Sequence, residues 1–363
     1  MTRLNVLVTG GSGYIGSHVV LQLLLSQRYN VAVIDNSANS HPESIKRVEE
    51  IAHAETGERH SVRLFQGDLK QRGDVEKVFN YFDEQEEKRG VYGVIHIAAL
   101  KAVGESGEKP LEYYMNNISA SLQLLDVMRA HNCFRFVYSS SATVYGEPPA
   151  VPIPETSPLQ SESPYSRTKV FFEQMLRDVA NAQPDKWRIL SLRYFNPAGA
   201  HPSGRIGEDP LGKPNNLLPL LAQISVGRSY GQLKVFGNDY PTYDGTCVRD
   251  YIHVMDLAAG HMNALDALDK DAVFHDVAPG KAKAYNLGTG KGQSVLTMIE
   301  SMRKASGFEY QYEIVDRRPG DVPNLTADPA LAIKELGFKT VRGLEEMCAD
   351  TVRWQKGNPN GYR

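Results

Sequence analysis

The sequence is poor in cysteine, in net charge and in long apolar runs. Its 3 cysteines, Cys133, Cys247 and Cys348, are scattered without a CxxC pair, so we expect neither a disulfide framework nor a zinc site. Free thiols are typical of the reducing cytoplasm. The formal net charge of −3 argues against a protein that binds nucleic acid through bulk charge. No apolar run approaches the roughly 18 residues that suggest a membrane-spanning helix, so we expect a cytoplasmic protein without metal or membrane.

Glycine, in contrast, is placed where it indicates a binding site. Gly10, Gly13 and Gly16 follow the apolar run 4–9 and precede an apolar helical pattern. A buried strand, a glycine turn and a helix N-terminus form an anion site, because unpaired amide N–H groups point at a bound phosphate. The spacing GxxGxxG is a variant of the dinucleotide-binding pattern. The next apolar run ends at Asp35, 19 residues after Gly16, where an acid would bind a ribose diol and repel a 2′-phosphate. This favours NAD over NADP.

Apolar runs alternate with helix-length segments through the first half of the chain. The alternation predicts an α/β fold, a Rossmann-like doubly wound parallel sheet with helices on both faces. From about Pro197 the pattern loosens into loops rich in Gly, Pro and Asn, which indicates a smaller, irregular α/β substrate domain. We expect a cofactor-binding domain at 1–197 and a second domain at 198–363, with a return to the first domain near 246–262. The apolar runs include 62–65, 91–97, 134–139 and 189–193.

A tyrosine and a lysine four residues apart are the candidate catalytic pair. Tyr165 and Lys169 begin a helical pattern and share one face of it, and the run 134–139 leads into Ser141 upstream. A phenol with a pKa near 10 is a poor base at neutral pH. A nearby ammonium and a positively charged nicotinamide would both stabilise the phenolate and lower that pKa. The serine hydroxyl could share the proton, so the pattern predicts proton removal from an alcohol while NAD takes hydride.

Several motifs also carry a family resemblance. The chain resembles the extended short-chain dehydrogenase/reductases in four motifs, which occur in the order TGGSGYIG, SSSATVYG, SPYSRTK and LRYFNPAGA. Within that group it resembles the UDP-glucose 4-epimerase family in the further motifs HIAALKAVGES, FGNDYPTYDGTCVRDYIHVMDLA, YNLGTG and RRPGDV. The resemblance covers essentially the whole chain. It implies an NAD-dependent isomerase that interconverts UDP-galactose and UDP-glucose. Catalysis would proceed by transient oxidation at C4′, with tightly bound NAD and a 4-keto sugar that rotates.

The resemblance further implies a role for each matching residue. Tyr165 would be the general base and acid, Lys169 its partner, and Ser141 the hydroxyl relay. The positions that match cofactor contacts are Gly10, Gly13, Tyr14, Ile15, Gly16, Asp35, Asn36, Asn39, Ser40, Asp68, Leu69, Ile97, Ala98, Lys101, Asn116, Ser139, Lys169 and Tyr194. The positions that match contacts of the UDP-sugar are Ser141, Tyr165, Asn196, Asn216, Leu217, Phe236, Arg249, Arg318, Asp321 and Leu325.

Two other functions are compatible with the same fold. A nucleotide-sugar 4,6-dehydratase needs an extra acid and base beside the serine, and the stretch 141–143 carries no carboxylate. An inactive NAD-sensing module typically lacks the tyrosine or the lysine, whereas both are present here.

Substrate breadth and assembly are left open by the sequence. Leu325 matches a position near the 2′-substituent of the sugar, where tyrosine excludes N-acetylated sugars and a small residue admits them. Leucine is intermediate in bulk, so UDP-N-acetylhexosamines are an alternative substrate class beside UDP-galactose and UDP-glucose. The family implies a homodimer that pairs two helices per subunit, here the patterns at 111–130 and 165–181.

Overall fold

Strands and helices alternate along the first half of the chain, as the apolar pattern predicts. The computed structural model describes residues 3–84, 89–228, 230–277, 279–318 and 320–363. The strands are β1 (Leu4–Thr9), β2 (Tyr29–Asp35), β3 (Arg63–Gln66), β4 (Gly93–His96), β5 (Arg135–Ser141), β6 (Arg188–Tyr194), β7 (Asn196–Ala198), β8 (Leu233–Phe236), β9 (Val248–His253), β10 (Lys281–Leu287), β11 (Gly292–Ser294), β12 (Tyr312–Val315) and β13 (Asn324–Leu325). The α-helices are α1 (Tyr14–Leu25), α2 (Glu43–Thr56), α3 (Arg72–Asp83), α4 (Val103–Glu108), α5 (Pro110–Tyr114), α6 (Ala120–Ala130), α7 (Pro164–Ala182), α8 (Leu217–Ser225), α9 (Val254–Ala267), α10 (Val295–Ser306), α11 (Ala330–Leu336) and α12 (Leu344–Gly357).

A sheet of seven parallel strands forms the centre, in the order β10-β6-β5-β4-β1-β2-β3. Helices cover both faces, so the strands are continuous apolar runs rather than alternating ones. In β1, Val6 and Val8 pack into the core beneath α1, α2 and α9, while Leu7 packs into the core beneath α3, α6 and α7. All three side chains are 0% exposed. The arrangement confirms the predicted doubly wound sheet.

Residues from the second half of the chain divide between two places. The strand β9 pairs with β7, β11 and β13, and β8 pairs with β12, to form two small sheets. The helices α8, α10 and α12 enclose a separate apolar core there. In contrast, β10 extends the large sheet beside β6, and α9 packs on the face that α1 and α2 cover. The large sheet is therefore built from both halves of the chain.

The order of the strands reverses between β1 and β4. The connections from these two neighbouring strands leave to opposite sides of the sheet, which opens a crevice at the carboxyl ends, where ligands bind in open α/β sheets.

The helical pattern predicted at 111–130 is divided in the structure into α5, a π-helical turn at Met115–Ser119 and α6. In the described part of the chain, we find no helix long and apolar enough to cross a membrane.

Candidate active site

The glycine turn after β1 holds the chain in a conformation that a side chain would prevent. Gly10 has a φ of +69°, and a Cβ there would lie 2.8 Å from the backbone nitrogen of Ala98. A Cβ on Gly16 would lie 2.1 Å from the carbonyl oxygen of Gly10. Gly13 precedes α1 without a side-chain cap, so the first amides of this helix point out into the crevice. These amides fit the pyrophosphate of a dinucleotide.

Asp35 connects this turn to the end of β2. Its carboxylate accepts hydrogen bonds from the amide of Ser12 at 3.1 Å, the amide of Ser37 at 2.9 Å and the hydroxyl of Ser40 at 2.7 Å. Although it is only 8% exposed, the carboxylate is therefore well solvated by the protein. Its place beside the glycine turn fits a ribose diol.

Other predicted cofactor positions lie on the loops that follow the neighbouring strands. Asn36 contacts Asp68 at 3.4 Å, and the carbonyl oxygen of Leu69 accepts a 2.6 Å hydrogen bond from Gln123. The backbone amides of Ile97 and Ala98 donate to the carbonyl oxygen of Thr9 at 3.2 and 3.1 Å. These bonds hold the carboxyl ends of β1 and β4 next to each other. Asn116 lies in the π-helical turn, a feature that is frequent at functional sites.

The candidate catalytic residues meet where β5 ends and α7 begins. Ser163 caps α7 through a reciprocal pair of hydrogen bonds with Ser166, so the helix starts immediately before Tyr165. Lys169 follows one turn later, and its Nζ donates to the carbonyl oxygen of Ser139 at 2.7 Å. This Nζ lies 5.9 Å from the centre of the Tyr165 ring. Ser141, the last residue of β5, lies near enough to the Tyr165 phenol to lower its pKa.

Burial changes the electrostatics that the sequence predicts for this pair. Burial raises the pKa of the Tyr165 phenol, and the nearby Ser141 hydroxyl only partly opposes the rise. Burial also lowers the pKa of Lys169 to about 7, against a smaller opposing effect of the Glu173 carboxylate. The expected lowering of the phenol pKa does not come from the protein groups by themselves. The reason is that burial of the phenol outweighs the opposing effect of Ser141 on its pKa.

Replacing Lys169 with methionine is expected to stabilise the cofactor-free protein by about 1–3 kcal/mol at pH 6, after the lost Ser139 hydrogen bond is subtracted. Lys169 has a lower pKa in the folded chain than its ordinary 10.5. The cost of burying its charge is therefore complete below about pH 7 and fades as the pH rises towards 10.5. Urea unfolding at pH 6 and pH 9.5 measures the gain, with the exposed Lys304→Met as control. An equal gain at both pH values would contradict the assignment.

A buried ion pair that the sequence analysis did not identify lies next to Lys169 along α7. Glu173, on the same face of α7 and one turn further on, accepts hydrogen bonds from Arg193 at 3.0 and 2.6 Å and from Ser140 at 2.5 Å. The pair is 2% and 1% exposed. Arg193 also donates to the Tyr145 hydroxyl at 2.8 Å. A carboxylate on the apolar face of the YxxxK helix was the available signal, because such a residue must have a partner inside the protein.

Tyr194 is part of a second buried hydrogen-bond network beside the site. Its hydroxyl is hydrogen-bonded to both the Ser139 hydroxyl and Nε2 of His261. Nδ1 of His261 donates to the carbonyl oxygen of Leu257 at 2.8 Å, so Nε2 is left as an acceptor. Burial lowers the pKa of His261 to about 4, which keeps the ring neutral at physiological pH. This network fixes Tyr194 against the end of β5, where the carbonyl of Ser139 also binds Lys169.

Several predicted substrate positions come together around β9 and β13. Asp321 accepts from Arg318 at 2.8 and 3.1 Å and lies 3.6 Å from Arg249. The Arg318 guanidinium stands 5.5 Å from the centre of the Phe236 ring. Leu325 is paired with Arg249 in the sheet register. The remaining positions are Asn196, the first residue of β7, Asn216, the N-cap of α8, and Leu217, the first residue of that helix. Guanidinium groups beside an aromatic face fit a nucleoside diphosphate.

The fold and these side chains define a class of protein. A doubly wound sheet with a glycine turn, an acid at the end of β2 and a Ser-Tyr-Lys set is the arrangement of the extended short-chain dehydrogenase/reductases. The profile of the family described as GDP-mannose 4,6 dehydratase matches residues 7–351. The chain belongs to this family.

Within that class, two similar relatives and one similar crystal structure are UDP-glucose 4-epimerases. UDP-glucose 4-epimerase of Drosophila melanogaster is 51% identical over 364 residues, 98% of this chain and 98% of the relative. That of Bacillus subtilis is 51% identical over 99% and 98% of the two chains. A crystal structure of UDP-glucose 4-epimerase from Bifidobacterium longum in complex with NAD+ and UDP superposes with a TM-score of 0.87, at 46% identity over 98% and 99% of the chains. The chain is a member of the UDP-glucose 4-epimerase family of NAD-dependent isomerases.

Proposed function

We propose that the chain interconverts UDP-galactose and UDP-glucose, with Tyr165 as the group that exchanges the proton of the 4′-hydroxyl. The observation that carries this proposal is the convergence of Ser141, Tyr165 and Lys169 at the carboxyl end of β5. This strand end adjoins the crevice that the glycine turn faces. Family membership supplies the substrate class, because the relatives at about half identity bear the name UDP-glucose 4-epimerase.

The protein groups divide the work of proton transfer. Tyr165 accepts the proton from the 4′-hydroxyl and returns it after the sugar has turned, and the nearby Ser141 hydroxyl shares that proton. Lys169, held by the carbonyl of Ser139, places a positive charge near the forming phenolate. When bound at the glycine turn and Asp35, NAD supplies a reversible hydride acceptor for C4′. Inversion at C4′ would follow if the sugar presents its opposite face before hydride returns to C4′ and Tyr165 returns the proton to the oxygen.

The substrate must stay bound by its nucleotide while the sugar turns. We assign this anchoring to Arg249 and Arg318, whose guanidinium groups suit the two phosphates, with Phe236 beside the uracil. Asp321 forms ion pairs with both arginines and holds them in place. When Arg318 turns to bind the diphosphate, Asp321 keeps Arg249 as its partner. The remaining substrate positions, Asn196, Asn216 and Leu217, are proposed to line the same pocket.

The assembly and location of the chain belong to the same proposal. Leu111, Met115, Leu122 and Phe171 are exposed apolar side chains on α5, α6, α7 and the turn that joins them. A homodimer that pairs these helices would cover them, and we propose that assembly in the cytoplasm. We also propose that residues 1–197 bind the cofactor, together with the segment from α9 to β10, which returns to the large sheet. The small sheets with α8, α10 and α12 are proposed to bind the UDP-sugar.

The test is conversion of UDP-galactose by the purified chain without added cofactor, followed by chromatography. Formation of UDP-glucose is expected, together with release of NAD from the denatured protein. If no product forms even after NAD is added, the proposed reaction is wrong. A parallel incubation with UDP-N-acetylgalactosamine tests the broader substrate class.

Replacing Leu325 with tyrosine is expected to suppress any conversion of UDP-N-acetylgalactosamine at least tenfold, while UDP-galactose turnover changes much less. Leu325 is 8% exposed and packs with Ala142, Val144 and Phe195 near the strand end that carries Ser141. The tyrosine ring is larger than the leucine side chain and would reduce the space beside the sugar. The ratio of kcat/KM for the two substrates is the measurement, and Leu325→Met is the volume-conserving control. An unchanged ratio would place the selectivity elsewhere.

A further inference from the structure

One segment of the second half of the chain contacts three separate loops around the crevice. The carbonyl oxygen of Gly199 accepts a 2.7 Å hydrogen bond from the Tyr14 hydroxyl, at the start of α1. The amide of Leu211 donates to the side-chain oxygen of Asn39, after β2, at 3.0 Å. Between them, Glu208 forms a 3.2 Å ion pair with Lys101, after β4. Residues 199–211, which we name the strap, therefore cross the carboxyl edge of the sheet above the glycine turn.

The C-terminal residues hold the strap from its outer side. The Tyr362 hydroxyl accepts from the amide of Gly207 at 3.1 Å and is 3.2 Å from the carbonyl oxygen of the same residue. The Trp354 indole donates to the carbonyl oxygen of Glu208 at 3.2 Å. Arg47, from α2, donates to the carbonyl oxygen of Arg205 at 3.1 Å. These bonds engage backbone atoms, so they fix the path of the strap itself.

The three side chains that hold the strap also pack on one another. The Arg47 guanidinium lies 5.1 Å from the centre of the Tyr362 ring, and the Tyr362 and Trp354 rings lie 4.8 Å apart. Gly207 fits tightly against them, since a Cβ there would lie 2.4 Å from the Trp354 ring. We call Arg47, Trp354 and Tyr362 the latch. It joins α2, α12 and the C-terminal turn.

The charges on the strap are paired so that it can lie beside a pyrophosphate. Glu208 is bound to Lys101, and Asp209 accepts from the amide of Tyr362 at 2.9 Å and faces His41 at 3.3 Å. Unpaired carboxylates at this edge would repel phosphate groups. With both acids bound, the strap contributes its backbone and apolar surface to the crevice.

We propose that the strap is the outer wall of the cofactor site and that the latch sets the rate at which NAD leaves. This inference rests on the proposed function, because an epimerase regenerates its NAD in every cycle and has no need to exchange it. Tyr14, Asn39 and Lys101 are all positions predicted to contact the cofactor, and each is bonded to the strap. Release of NAD would then require these bonds to break and the strap to lift, which the latch opposes.

The experiment measures NAD dissociation directly. The purified protein is mixed with an NAD-consuming enzyme that removes free cofactor, and the NAD still bound is quantified by chromatography after denaturation at successive times. Tyr362→Ala is expected to release NAD at least tenfold faster than the parent chain, which corresponds to about 1.4 kcal/mol. Tyr362→Phe keeps the ring against Arg47 but loses the hydroxyl bonds, so a smaller increase is expected. The control is Tyr312→Ala, on the partly exposed β12 strand.

The outcomes separate this inference from the proposed function. If the parent chain carries NAD and Tyr362→Ala releases it at the parent rate, the latch has no such role, although the epimerase assignment stands. If Tyr362→Ala does not fold, Tyr362→Phe and Arg47→Met give the answer, since either one at the parent rate also overturns the proposal. If the parent chain neither holds nor binds NAD, the proposed function fails and this inference fails with it.

Discussion

Replacing Tyr165 with phenylalanine is expected to lower kcat by about 10²- to 10⁴-fold, the usual contribution of general acid–base catalysis. The substitution removes only the hydroxyl, so the buried ring keeps its packing. Ser141 retains hydrogen bonds from the amide and the hydroxyl of Thr143, at 3.2 and 3.0 Å, and is not left without a partner. We therefore expect the melting temperature and the NAD content to remain close to those of the parent chain.

The measurement is UDP-galactose turnover at saturating substrate, with bound NAD quantified in the same preparation. A matched control is Tyr310→Phe, because Tyr310 is also a buried tyrosine, 3% exposed, whose hydroxyl donates to the carbonyl oxygen of Leu221 in the second half of the chain. That variant is expected to keep its kcat. Near-normal turnover in Tyr165→Phe, or an equal loss in the control, would show that the phenol does not exchange the substrate proton.

Much of this arrangement could be predicted because it follows strand ends. Gly10 after β1, Asp35 at the end of β2 and Ser141 at the end of β5 are each marked by a local pattern. Parallel strands bring their carboxyl ends to one edge of a sheet. A fold class with a known strand order therefore turns positions that are distant in sequence into neighbours in space. Tyr165 and Lys169 add a helical spacing of four, which is local as well.

The contacts that the sequence could not predict join positions with no common pattern. The position of Glu173 on the apolar face of α7 indicates that it has a buried partner, but only the packing of that helix on the sheet shows that the partner is Arg193 on β6. The strap is similar, since Glu208 meets Lys101 across more than 100 residues of chain. The pKa of Lys169 was also out of reach, because it depends on how completely the side chain is buried.

The largest effect on stability is expected at the buried pair of Glu173 and Arg193. Replacing Arg193 with methionine should destabilise the fold by about 3–5 kcal/mol, because the Glu173 carboxylate would remain buried without its opposite charge. The Tyr145 hydroxyl would lose the same partner, although it still donates to the Asn286 side chain at 2.6 Å. Urea unfolding at pH 7 measures the change, and Arg188→Met, at the start of the same strand, is the more exposed control.

The double variant Glu173→Leu/Arg193→Met separates the two reasons for which the pair could be present. Apolar side chains of similar volume remove both buried charges, and such replacements are often neutral or stabilising. We expect the double variant to recover most of the lost stability. It also removes the carboxylate that raises the pKa of Lys169, so that pKa should fall further below its ordinary value. The lysine would then be neutral over more of the pH range, and turnover at pH 7 should fall relative to turnover at pH 6. A stable double variant with an unchanged pH profile would show that the pair serves the fold and has no part in setting the charge beside Tyr165.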